Sequence, residues 1–72
     1  MAQYQLNQKI VEVAPGRFLV NVTAVPEDLT EPSEHASRFA LGQDKAERLL
    51  ERLTHEFRYR IERRGHDIVA EA

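Results

Sequence analysis

Three histidines and a cluster of carboxylates are the residues of this chain whose chemistry is worth weighing first. His55 precedes Glu56, the opening pair of a zinc-protease helix motif that is completed by a second histidine one turn later. Position 59 is Tyr, so that second ligand is missing. His35, His55 and His66 share no metal-ligand spacing, and the 72 residues include no cysteine. No metal and no other cofactor is expected. Glu27, Asp28, Glu31 and Glu34 crowd one short stretch, but they lack the alternation and the central glycine of a calcium loop and read as solvated carboxylates. A glycine-rich phosphate loop, a nucleophile elbow and an obvious base beside a nucleophile are all lacking. A monomer of this length can scarcely enclose a substrate pocket of about 300 Å³ or more. The chain is therefore read as non-enzymatic.

Binding chemistry is better represented. At 100° per residue, Lys45, Arg48, Arg52, Tyr59 and Arg63 fall within about 60° of one another on a helix. Such a stripe suits phosphates, whose counterions it would release, with Tyr59 placed to stack on a base. An acidic protein partner is the lesser alternative, and Glu51, Glu56 and Glu62 border the stripe closely enough to lower its potential. The bland alternative is a solvated helix face. Arg60 and Arg64 project near the apolar side instead, where their stems can lie along the core rim or join a subunit contact.

The elements that hold these residues follow from pattern. Lys9 to Val13 and Phe18 to Val25 are rich in β-branched and aromatic side chains and flank Pro15-Gly16, which predicts a hairpin. With Pro15 and Gly16 as a two-residue loop, Val13 would face Phe18, Val11 would face Val20 and Lys9 would face Val22. Val11, Val13, Phe18, Val20 and Val22 then form the core face. Leu6, Ile10 and Leu19 would lie on the outer side as candidate contacts. Pro-Gly favours type II geometry, which fits a two-residue hairpin less well than the primed turns. Pro26 to Ala36 reads as an acidic loop with two prolines, and Ser37 to Leu41 as a short third strand carrying Phe39 and Leu41 on one side.

Asp44 with Glu47 three residues later predicts an N-cap and capping box, and so a helix from Lys45. Ala46, Leu49, Leu50, Leu53, Phe57 and Ile61 form its apolar stripe. Arg63, Arg64 and Gly65 mark its end. His66 to Ala72 fits either a short last strand or a tail. The expected fold is one α+β domain over residues 1–72, a two-layer sandwich of a small antiparallel sheet packed on one long C-terminal amphipathic helix.

The order of hairpin, third strand and then a helix opening after Gly42, with Ala46 and Leu49 inward, resembles the partial double-stranded-RNA-binding layout of HicB-like antitoxins. The likeness lies in layout alone and carries over no functional residue. It implies a regulatory, interacting protein.

Composition narrows the rest. A net charge of −2 gives no global attraction to nucleic acid or anionic lipid, although residues 43–64 hold seven bases against five acids. No window approaches the ~20 apolar residues of a membrane span, and no basic and apolar leader opens the chain, so a cytoplasmic location is expected. Folding at this size buries only about 60% of the unfolded surface, with no disulfide to help. A shared core is one remedy. The expected function is protein interaction, with self-association as a homodimer, and nucleic-acid binding through the helix stripe is the alternative.

Overall fold

A computed structural model of the chain describes residues 2–28 and 30–71, the last two by backbone alone. Ala72, the end of the segment read as strand or tail, lies outside them. Strands β1 (Gln3–Ala14), β2 (Arg17–Pro26) and β3 (Glu34–Leu41) precede helix α1 (Gln43–Arg63) and strand β4 (Asp67–Glu71). The sheet order is β3-β2-β1-β4, with the helix on one face. The fold is thus α+β in two layers. The sheet is mixed rather than purely antiparallel, because the final segment is a strand that pairs parallel to β1, Gln3 beside Asp67 and Tyr4 beside Ile68. The 21-residue helix supplies the long crossover that returning in the same direction requires.

The hairpin carries the main correction. Ala14 pairs with Arg17 as a two-residue loop demands, but Glu12, not Val13, stands opposite Phe18. Val13 is the extra residue of a β-bulge, and beyond it every pairing moves by one: Val11 with Leu19, Ile10 with Val20, Leu6 with Ala24. A one-residue shift exchanges the faces of β1. Tyr4 and Leu6 are fully buried and Ile10 packs against the core. Val11 and Val13 turn away from the helix, and Val13 is 50% exposed. Leu6 and Ile10 are therefore core residues and not outer contacts, whereas Leu19 does lie on the outer face, half-buried beside Phe39. The bulge answers the turn chemistry. Pro15-Gly16, with Gly16 at φ +73°, brings its own twist, and the extra residue reconciles it with the strands.

The helix starts at Gln43, two residues before the expected point. Its cap is Gly42 at φ +89° with no side-chain hydrogen bond, so Asp44 lies inside the first turn instead of capping it. Its carboxylate still favours the positive end of the helix. Tertiary structure fixes this start, since the Gly42 amide donates to the Gly16 carbonyl at 2.8 Å and ties the helix to the hairpin tip. The far end closes by backbone bonds. Gly65 adopts φ +83°, its amide donates to Glu62 and that of His66 donates to Ile61, which is a Schellman arrangement.

Between the layers, Tyr4, Leu6, Val20, Val22, Ala24, Ala46, Leu53, Phe57 and Ile61 form the core, with Phe18, Leu49, Leu50 and Ile68 around it. The polar groups inside are answered. Thr54 donates its hydroxyl to Gln8 Oε1 at 3.1 Å, and the Tyr4 hydroxyl reaches the Pro32 carbonyl at 3.4 Å. Truncating Leu6 to Ala should lower the unfolding free energy by about 2–5 kcal/mol, while Val13→Ala should stay within about 0.5 kcal/mol. Chemical denaturation separates the two, and the opposite ranking would restore the unbulged register. Burial, more than the carboxylates of Glu31 and Glu34, raises the Tyr4 phenol above its ordinary 10.0, against a smaller lowering from Arg64. The folded chain therefore holds this proton more tightly than the unfolded one. Its contribution to stability is complete below the ordinary value and is lost as pH rises through the raised one. Unfolding followed against alkaline pH should show that loss, and Tyr4→Phe should flatten it.

Candidate interaction surface

With one helix for four strands, only one sheet face is covered among the described residues. The other presents two different surfaces. Towards the acidic loop it is polar: Thr23 and His35 Nδ1 are 2.8 Å apart, and His35 Nε2 and Ser37 Oγ are 2.7 Å apart. The Ser37 hydroxyl donates to Asn21 Oδ1. A serine beside a histidine suggests a nucleophile, but the direction of donation opposes it. With its own proton given to Asn21, Ser37 accepts from His35 Nε2–H, and Nδ1 accepts from Thr23. The imidazole is then a donor to the serine and not its base. The ladder is a cross-strand network on an exposed face, and its i, i+2 spacing in β3 was readable in the sequence only once that strand's start was known.

Towards the hairpin tip the same face turns apolar. Phe39 is 75% exposed and Leu41 66%, with Val13, Val11 and Leu19 alongside. Two open depressions meet there. One, of about 360 Å³, is lined by Val13, Ala14, Arg17, Phe39, Ala40 and Leu41. The second, of about 450 Å³, lies between β3 and the helix, where Lys45, Arg48, Leu49 and Arg52 join Phe39, Ala40 and Leu41. The end of β3 is the ridge between them.

The predicted helix stripe is thereby divided. Lys45, Arg48 and Arg52 line the second depression, while Tyr59 and Arg63 lie further along, with the Arg63 guanidinium 5.9 Å from the Tyr59 ring. Among the described residues, Lys45, Arg48 and Arg52 hold no ion pair or hydrogen bond. Glu51 and Glu56, three and four positions beyond Arg48 and Arg52, form no ion pair with them. Arg60 and Arg64, candidates for a subunit contact, are engaged within the chain. Both pair with Glu34, Arg60 at 3.8 Å, and Arg60 lies 4.7 Å over the Phe57 ring. Glu34 is consequently not a loop carboxylate but the start of β3, fastening it to the helix end.

The remaining acidic residues are partly engaged as well. Asp28 accepts from the Thr30 amide and hydroxyl, both at 2.9 Å, and these bonds hold its carboxyl below the usual range. Glu31 lies 3.9 Å from His66 Nε2, whose Nδ1 accepts from the Ala2 amide. Glu31 and Glu34 thus have partners at the loop end, while Lys45, Arg48 and Arg52, interspersed with Asp44, Glu47 and Glu51, hold no ion pair beside the hairpin tip among the described residues. Among the described residues, no group of three histidine, cysteine or acidic side chains could hold a metal ion, and no helix is long and apolar enough to cross a membrane.

A long-range proton–nitrogen spectrum at neutral pH should show His35 with its proton on Nε2. A proton on Nδ1 would reverse the donor chain and reopen the question of an activated Ser37. Compared with protein-family models, with curated proteins and with solved structures, the chain matches none of them.

Proposed function

We propose that this chain is a non-enzymatic protein-interaction domain whose docking surface is the corner formed by Val13, Phe39 and Leu41 with its basic flank. The observation that carries the reading is the exposure of Phe39 and Leu41 together at the end of a sheet edge. Large side chains left uncovered side by side lose favourable burial in the isolated chain, at about 25 cal/mol per Å² of apolar area, and recover it against a partner. The polar ladder supports a binding role over a catalytic one, because its serine is a donor to Asn21 and is not poised on a base.

The shortage of core that first suggested a homodimer is smaller than composition implies, since Tyr4, Leu6 and Ile61 are fully buried within one chain. Self-association now rests on the open face alone. Replacing both Phe39 and Leu41 with Ser should leave thermal unfolding nearly unchanged, because neither belongs to the core. It should release partners that the unaltered domain retains, and sedimentation of both proteins over a wide concentration range shows whether one such partner is a second copy. Identical partners and identical sedimentation for the two proteins would remove the reading.

A second reading is favoured by a separate observation, the lack of ion pairs at Lys45, Arg48 and Arg52. Three free cations on successive turns suit a phosphate backbone. An amide-resolved titration with mixed-sequence DNA and RNA at two salt concentrations should then give salt-sensitive shifts centred on residues 45–52. Silence there would leave the protein-partner reading alone.

A further inference from the structure

The partner's chemistry can be taken a step further, resting on the interaction reading above. β3 is an outer strand of the sheet, eight residues long, and it pairs with β2 from Glu34 to Leu41 without a break in register. Along its other side, every second residue directs its N–H and C=O away from β2; the Arg38 guanidinium donates to one of these groups, the Ser37 carbonyl, at 2.8 Å, and no described strand pairs with them. Such an edge is a template for one more strand. The two depressions flank it on opposite faces of the sheet. Above the edge lie Phe39, Leu41, Val13 and Arg17; below it, on the helix side, lie Lys45, Arg48 and Arg52.

We propose that β3 receives an extended segment of another protein as a fifth strand, one in which apolar and acidic residues alternate. An added strand sends successive side chains to opposite faces. Those on the open face would cover Phe39 and Leu41, and those on the helix face would meet the three free cations. Each half of the alternation therefore has its counterpart, which is the usual division in strand addition between backbone affinity and side-chain specificity.

The chain's own surfaces fit less well. A second copy joined along the whole edge by a two-fold axis would place both helices on the same face but reverse the strand, so that Lys45 and Arg48 of one copy would approach the Glu34 end of the other, whose carboxylate is already held by Arg60 and Arg64. Of the nearby carboxylates in a second copy, Asp28 is already used on Thr30, and Glu34, at the start of β3, on Arg60 and Arg64. A nucleic acid would use the cations but leave the strand's backbone groups unmatched.

The test uses the full chain, isotopically labelled, and a synthetic peptide as long as β3. Glu and Ile alternate along it, with N-methylation at every second amide so that only one of its edges can pair. Binding should slow hydrogen exchange at alternate β3 amides and shift Phe39, Leu41, Arg48 and Arg52. A peptide with Lys in place of Glu should fail to bind, and Arg48→Glu with Arg52→Glu should weaken the acidic peptide about tenfold or more. Equal binding of Lys, Gln and Glu peptides at Phe39 and Leu41 would overturn the acidic specificity while leaving the corner as an interaction site. Binding without protection of β3 amides would overturn strand addition. Absence of any shift at Phe39 or Leu41, with the double arginine variant folded and oligothymidylate shifting residues 45–52, would overturn both and favour nucleic acid.

Discussion

The single extra residue at Val13 governs the arrangement of the whole molecule. Because side chains alternate along a strand, that bulge decides which half of β1 meets the helix. With it, Tyr4, Leu6 and Ile10 turn inward, and Phe57 and Ile61 find a deep core to pack against. Without it, Val11 and Val13 would be buried and the aromatic ring of Tyr4 would stand in water. The same shift leaves Val13 outside, next to Phe39 and Leu41, so the device that completes the core also creates the apolar corner.

Around this hairpin the ends of the other elements are fixed by backbone bonds between distant segments. Gly42 is held to Gly16 at one end of the helix, and at the other the Schellman turn at Gly65 redirects the chain into β4 beside β1. Glu34, paired with Arg60 and Arg64, fastens β3 to the last helical turns. Exposed ion pairs of this kind contribute about 0–1 kcal/mol, so their effect here is more to orient than to stabilise. They do consume the cations near the acidic loop. Lys45, Arg48 and Arg52, at the opposite end beside the uncovered edge, keep no such partner among the described residues and give the corner its basic flank.

Much of the architecture was legible in the sequence because it rests on local patterns. The helix stripe from Ala46 to Ile61, its end at Gly65, the Pro15-Gly16 turn and the shared side of Phe39 and Leu41 all follow from periodicity and turn chemistry, whereas the exposure of that side does not. Lys45, Arg48 and Arg52 could be placed on one flank by helical geometry alone. Their separation from Tyr59 and Arg63 could not, because it depends on where β3 runs along the helix. Asp44 was a reasonable cap by residue type, yet Gly42 took the position once the hairpin tip supplied a partner for its amide.

The sequence by itself determined the types and order of the hairpin, third strand and helix and the two-layer class, since periods of 2.0 and 3.6 are written in neighbouring residues. Only the tertiary structure decided which face of β1 is core, where β4 joins the sheet and which charges remain unpaired. Each of these depends on contacts between residues far apart in the chain: a bulge is recognised only when the opposite strand is in register, a parallel edge strand only when the crossover is placed, and an unpaired cation only when the distance to each nearby carboxylate is known.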